Sequence, residues 1–345
     1  MEPYERLVIE VTEACHHACS HCYNPWRQQR APVGSPETLT RREIRQLVRK
    51  VRRDAPIKVV AVSGGEPLLR TDTPEIVGDL VDDGLAVVVI TNGTLLVDEA
   101  VSRFPEGTVF EVTLFSTDGR LHDAIAGRPG AFRNVIAGAA CLRRHRCRLA
   151  VAVVVNRLNA EDVRPTLELG IALGADSLLL NRVNLSRATL PGAARLAPDP
   201  DQLRFALAAA DEVAAEYQAT VAVSVPVPPC LVDPGPYRHL HFGWCPRGGK
   251  DAYYTLGYNG LLRPCNHASV VLGDLRTQGF AEIVGSAASE AFWEPAPSAC
   301  RACPHPLAEA CRGGCPAASW ECYGTGERWD PIIDVAAGRK PGSEH

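Results

Sequence analysis

Three cysteines sit close together near the amino end, in Thr12-Glu13-Ala14-Cys15-His16-His17-Ala18-Cys19-Ser20-His21-Cys22-Tyr23-Asn24. Their spacing is Cys-x3-Cys-x2-Cys. A loop this short converges three thiolates on one point, as an iron–sulfur cubane requires. A structural zinc site normally takes four protein ligands. Three thiolates on a cubane instead leave the fourth iron open to an exogenous ligand. The intervening histidines keep zinc as the alternative. Seven more cysteines come late in the chain: Cys245, Cys265, Cys300, Cys303, Cys311, Cys315 and Cys322. Gly260 and Cys265 form Gly-x4-Cys, Cys300 and Cys303 a Cys-x2-Cys pair, and Cys311 and Cys315 a Cys-x3-Cys pair. Zinc-ribbon-like sites are the alternative for these dithiol pairs. Cys141 and Cys147 fall in a predicted helix and at a strand start, and read as buried thiols.

These ligands need elements to hold them. Residues 7–11 read as a strand that ends just before the first cysteine loop. Thr40 and Glu43 form a capping box, and Ile44, Leu47, Val48 and Val51 follow at helical spacing. Strands are predicted over 57–62, 85–90, 109–114, 149–155 and 177–180. Helices are predicted from Thr73-Pro74 to Gly84, and over 132–145, 160–173 and 203–217. Repeated strand–helix units with apolar, non-alternating strands mean a parallel sheet covered by helices. From the pattern alone, a closed or partial barrel and an open doubly wound sheet both fit. Either gathers function at the strands' C-terminal ends.

A Pro-rich stretch with Pro226, Pro228, Pro229, Pro234 and Pro236 is the predicted linker. Beyond it, from Cys245 to Cys322, the chain is rich in Cys, Gly and aromatics. Such a segment is expected to build little apolar core and to need metal. Domains are therefore predicted at 1–225, a linker at 226–240, a cysteine-rich domain at 241–333 and a disordered tail at 334–345.

The 345 residues carry a net charge of −4. That balance gives no reason to expect nucleic acid or an anionic membrane as partner. The paired arginines Arg41-Arg42 and Arg143-Arg144 lie on predicted helices and read as solvated faces. No basic leader with an apolar core opens the chain, and no apolar run approaches the ~20 residues of a membrane span. The expected location is cytoplasmic, where 13 cysteines suit metal or free thiols better than disulfides.

The first cysteine motif, followed by an aromatic residue, resembles the radical S-adenosylmethionine (SAM) superfamily signature. The resemblance implies a partial (β/α)6 barrel and a [4Fe–4S] cluster on Cys15, Cys19 and Cys22, with SAM on the open iron. One-electron reduction would cleave SAM to methionine and a 5′-deoxyadenosyl radical that abstracts a substrate hydrogen. The reductant would be external, such as flavodoxin or ferredoxin. Ser63-Gly64-Gly65-Glu66-Pro67 is similar to the family's Gly-Gly-Glu-Pro segment, whose backbone contacts the SAM amino group. Glycines there let the backbone approach a ligand closely. Thr91-Asn92-Gly93-Thr94 ends the third strand. Phe115-Ser116-Thr117-Asp118-Gly119 and Leu121-His122-Asp123 are similar to further family segments. The resemblance makes Tyr23, Gly64, Gly65, Glu66, Asn92, Ser116, Asn156 and Arg182 candidate SAM-binding residues.

The late array resembles the SPASM domain, which holds two auxiliary [4Fe–4S] clusters, giving three in all. Family ligation would put one on Cys245, Cys265 and Cys315, and the other on Cys300, Cys303, Cys311 and Cys322. The first set is one thiolate short; Cys230 or Asp251 could complete it, or an iron could stay open. The Cys303–Cys311 gap is slightly longer than the family's. Auxiliary clusters accept electrons, so net oxidation or oxidative cross-linking suits this array. A redox-neutral epimerisation would need a thiol hydrogen donor, for which Cys230 is the loose cysteine. Sulfatase-maturing relatives place a carboxylate after the cysteine equivalent to Cys265. Here Asn266-His267 stands instead, and His267 is the candidate base.

The first functional expectation is a peptide maturase acting on a ribosomally made precursor. No extra domain precedes the first strand, so a separate leader-peptide-binding protein would be needed. The second is a dehydrogenase, decarboxylase or epimerase for a small molecule such as a sugar or tetrapyrrole. The third, of another class, is a non-catalytic metal-binding protein.

Overall fold

The computed structural model describes residues 4–24, 37–248, 252–339 and 341. Asp251 lies outside the described residues. Six strands lead the fold: β1 (Arg6–Glu10), β2 (Val59–Ser63), β3 (Ala86–Thr91), β4 (Val109–Thr113), β5 (Arg148–Val155) and β6 (Ser177–Arg182). Each pairs in parallel with the next. Crossover helices include Arg41–Asp54, Thr73–Asp82, Ala131–Arg144 and Val163–Ala172. The first of them starts at the Thr40–Glu43 capping box and buries Ile44, Leu47, Val48 and Val51. This is the partial barrel that the resemblance implies.

The sheet runs further than six strands. Two short strands, β7 (Val221–Val223) and β8 (Leu240–Phe242), continue it in parallel beyond β6. The barrel stays open, because β8 pairs with β7 at one end of the strand order while β1 pairs elsewhere. β8 begins inside the stretch predicted as a linker. Val227, Leu231 and Val232 in that stretch are buried in the barrel's core. The apolar residues between the prolines thus fold residues 226–240 onto the barrel rather than leaving them to span a gap.

The cysteine-rich segment joins the opposite edge. β9 (Thr255–Leu256) pairs in parallel with β1, and β10 (Leu261–Arg263) and β11 (Gly273–Asp274) follow antiparallel. Leu256, Leu262, Leu275, Phe280 and Ile283 enter the same apolar core as the barrel strands. The expectation of a segment with little core of its own is therefore modified: it shares the barrel's. A second small cluster packs Phe292, Trp293, Ala317 and Ala318 around Cys315. The helix Pro331–Ala336 also runs past 334, where a disordered tail was expected. Asp330 caps it by accepting from the Ile332 N–H, and Ile332 and Val335 are buried. Each such apolar side chain contributes about 1.5–3 kcal/mol.

Candidate active site

Strand alternation builds the cavity. Ala61 and Ser63 of β2, Val88 and Ile90 of β3, Glu111 and Thr113 of β4, Ala152 and Val154 of β5, and Leu179 and Asn181 of β6 line it. These are every second residue, as a period of two requires. Their neighbours Val60, Val62, Val89, Phe110, Val112, Val153 and Leu180 are buried in the core. The cavity holds about 950 Å³ and is roofed by the first cysteine loop on one side and by Cys245, Cys265 and Cys315 on the other. That volume suits a cofactor with part of a substrate.

The cysteine loop is fixed by backbone contacts. The Gly65 N–H donates to the Thr12 carbonyl at 2.8 Å and the Glu66 N–H to the Ala14 carbonyl at 2.8 Å. A Cβ on Gly65 would stand 2.3 Å from the Ala14 oxygen, and one on Gly64, at φ +146°, 2.2 Å from the Thr12 oxygen. Only glycine permits so close an approach. On the far side, Ala18 and Ser20 donate N–H bonds to Ala126 and Ile125, at the end of the helix Gly119–Ala126. Gly127 leaves room there: its Cβ would lie 2.4 Å from the Ala18 oxygen.

Glu66 is fully buried. Its carboxylate accepts from Thr91 Oγ1 at 2.7 Å, Asn92 N at 2.8 Å and Leu68 N at 3.0 Å. Burial pushes the carboxyl up to about 7 against these bonds. Glu66 is thus a positioning residue that ties β2 to β3; its oxygens are spent inside the protein. Asn92 lines the cavity and has a buried side-chain N–H without a protein partner. Ser116 and Asn156 do not line it. Ser116 Oγ bonds the Asp162 carboxylate and accepts from Asp118 N at 2.9 Å. Asn156 Oδ1 accepts from Leu158 N at 2.9 Å and closes a turn after β5. Both were expected to contact SAM; the structure gives them loop-building bonds instead.

Arg182 lines the cavity, yet its guanidinium is directed to the C-terminal segment. Nε donates to the Pro226 carbonyl at 2.8 Å, and the group pairs with buried Asp330. Asp330 also accepts from Cys315 N at 3.0 Å. A second buried pair, Glu10 with Arg263, joins the end of β1 to β10 just before Cys265. These pairs fix the auxiliary cysteines over the barrel mouth. Removing one partner of such a pair leaves an uncompensated buried charge. Arg182→Met is therefore expected to cost about 3–5 kcal/mol of stability, read from urea unfolding of anaerobically prepared protein. An unchanged midpoint would contradict the clamp.

Where the two halves meet, Tyr23 and His267 rings lie 4.0 Å apart, and Asn266 Nδ2 donates to the Tyr23 hydroxyl at 2.9 Å. Asn184 Nδ2 bonds His267 Nδ1. Burial pushes the His267 ring down to about 4, so it is neutral at pH 7. With Nδ1 accepting, the ring proton sits on Nε2. His267, expected from the sequence as a base, thus has Nδ1 taken up by the Asn184 amide and keeps Nε2 for any contact with the cavity that it lines.

The comparisons with known proteins agree with this geometry. The radical SAM superfamily model matches residues 9–170, and the iron–sulfur cluster-binding SPASM model matches residues 245–304. This chain is a radical SAM enzyme with a SPASM domain. The AdoMet-dependent heme synthase of Methanosarcina barkeri (strain Fusaro / DSM 804) is 34% identical over 49% of this chain and 48% of its own length. The chain thus spans about half of that relative. The PqqA peptide cyclase of Granulibacter bethesdensis is 25% identical over 97% of this chain and 88% of its own length. The crystal structure of Streptococcus suis SuiB bound to the precursor peptide SuiA superposes with TM-score 0.72 at 13% identity. That alignment covers 96% of this chain and 75% of SuiB, and it shows the shared fold.

Cys15, Cys19 and Cys22 offer three thiolates, the donor set of a cubane that keeps one iron open. A tetrahedral zinc at ~2.3 Å from each sulfur holds its thiolates about 3.8 Å apart. Among the described residues, one trio of potential ligands lies within 4.8 Å of one another: Asp98, Cys141 and His145. Arg144 already pairs with that Asp98. Neither cysteine array is drawn in so tightly. Of the loop histidines, His16 Nε2 meets Thr94 Oγ1 at 2.8 Å and the His21 ring packs on Phe115 at 5.0 Å, while the Nδ1 atoms of His16, His17 and His21 are buried.

Glu111 is the residue that sequence reasoning missed. It projects from β4 into the cavity, in charge range of Tyr23. Loss of hydration pushes its carboxyl up to about 7. A lone Glu in the apolar run Val109-Phe110-Glu111-Val112 was the available signal.

Proposed function

We propose that this enzyme oxidatively modifies or cross-links a residue of a ribosomally made precursor peptide. The observation that carries the reading is the single cavity bounded by the SAM-loop cysteines and by Cys245, Cys265 and Cys315 together. A peptide-modifying relative aligned along nearly the whole chain supports it. When loaded, the cofactors supply a deoxyadenosyl radical at the first cysteine loop and electron-accepting clusters at the second array.

The chain's own residues supply the rest. Gly64 and Gly65 bring backbone to the SAM site. The Asn92 amide offers a donor at the same edge. The apolar strand residues exclude water from the reacting centre. Glu111 is positioned to take the proton that a substrate releases on oxidation. The balance would close with Glu111 taking one proton, while the cofactors that Cys15, Cys19 and Cys22 and that Cys245, Cys265 and Cys315 would hold supply the means to remove one hydrogen atom and one electron.

The same reading includes three [4Fe–4S] clusters, a cytosolic setting, an external one-electron donor such as flavodoxin or ferredoxin, and a separate leader-peptide-binding protein. Among the described residues no helix is long and apolar enough to cross a membrane. A second reading, oxidation or decarboxylation of a small tetrapyrrole, draws on the heme synthase match over half the chain.

Anaerobic turnover with SAM, dithionite and deuterated candidate substrates separates them. The expected result is a peptide lighter by two hydrogens, with deuterium transferred to 5′-deoxyadenosine. Label transfer from a tetrapyrrole and none from any peptide would overturn the first reading.

A further inference from the structure

Eight cysteines surround the C-terminal array once Cys230 is counted with the seven of the motif. The resemblance assigns Cys322 to the set containing Cys300, Cys303 and Cys311. None of those three is among the charged groups that act on the Cys322 thiol. Cys322 lies near the end of the helix Pro316–Tyr323, which Cys315 caps. The charged groups acting on it are Asp330, Glu321 and Cys315, of which Cys315 belongs to the other set.

Cys230 occupies the opposite position. It sits in a turn where the Leu231 and Val232 N–H groups both donate to the Pro228 carbonyl, at 2.8 and 3.1 Å. That turn packs on Gly313-Gly314, the link between Cys311 and Cys315. A Cβ on Gly314 would lie 3.2 Å from Pro228 Cγ, and one on Gly313 3.5 Å from the Cys300 sulfur. Asp233, on the same loop, lies 4.0 Å from His305, between Cys303 and Cys311. Cys230 itself is in charge range of Cys311, Cys303 and Cys300.

We propose that Cys230, from the Pro-rich segment outside the motif, is the fourth thiolate of the cluster held by Cys300, Cys303 and Cys311. The inference rests on the auxiliary-cluster reading and deepens it. The cluster farther from the cavity then has four thiolates and no open iron, as suits an electron relay. None of Cys300, Cys303 and Cys311 lines the cavity, whereas Cys245, Cys265 and Cys315 do. The chain segment after β7 is also tied to the array, which explains why residues 226–240 are packed.

Alkylation of the anaerobic holoenzyme tests this without mutation. Cys230 is exposed, so as a free thiol it is open to iodoacetamide, although burial of its sulfur raises the thiol and slows the reaction relative to an ordinary cysteine. The expected result is protection of Cys230 in holoprotein and labelling once a chelator strips the iron. Labelling of Cys230 at full iron content would overturn the proposal. Absence of iron from the array altogether would instead sink the auxiliary-cluster reading, so the two failures are distinguishable. As a second measurement, Cys230→Ser should alter the electron paramagnetic resonance (EPR) signal of one auxiliary cluster, while Cys322→Ser leaves that signal unchanged. The reverse pattern would restore Cys322.

Discussion

Replacing Cys15, Cys19 and Cys22 together with Ala is expected to abolish SAM cleavage, with 5′-deoxyadenosine falling to the buffer background. The loop those residues occupy is held by backbone bonds from Gly65, Glu66, Ala18 and Ser20, none of which involves a cysteine side chain. The barrel should therefore survive the change. Iron content should fall by about four per chain, and the auxiliary signals should remain. A folded triple variant that still forms 5′-deoxyadenosine at the parent rate would displace the radical site from this loop.

The second large effect is expected at Glu111. Glu111→Gln keeps the size of the side chain but removes its capacity to take a proton. SAM cleavage should persist, because Glu111 does not touch the cysteine loop's supports. Oxidised product per 5′-deoxyadenosine should fall by about 10²–10⁴-fold, the usual range for loss of a general base. Equal loss of cleavage and product would give Glu111 a structural role instead. Stability supplies an independent readout. The folded carboxyl titrates near 7 against an ordinary 4.5. Between those pH values the unfolded chain releases the proton and the folded chain keeps it. Stability therefore falls as pH rises through that window, by up to about 3 kcal/mol for this group. The Gln variant should lack that share of the fall. Glu66 has a similar shift and contributes equally to both proteins, so the difference between them isolates Glu111.

The fold is largely legible in the sequence because its strands and helices announce themselves locally. The capping box at Thr40, the apolar runs of β1 to β6 and the turn glycines each act within a few residues. The short strands β7 and β8 carry too few residues for a pattern, and the two-residue β9 exists only through its pairing with β1 and β10. The cysteine loop is legible from spacing alone. What spacing cannot give is direction. Ser116 and Asn156 follow strands, as Asn92 does, but their side chains turn into loop bonds while Asn92 borders the cavity. Glu111 required knowing which face of β4 looks inward. Arg182 was noticed for its place after a strand; its bond to Asp330, 148 positions away in the chain, has no local signature. The neighbours of Cys230 and Cys322 were hidden for the same reason.

The central claim is an iron–sulfur cubane on Cys15, Cys19 and Cys22 with one iron free to take SAM. EPR of the reduced, anaerobically loaded enzyme, recorded with and without SAM, tests it most directly. The expected result is a reduced-cluster signal that changes on addition of SAM and is missing from the triple-alanine variant. A loop that holds zinc and no iron, or a spectrum indifferent to SAM, would contradict it.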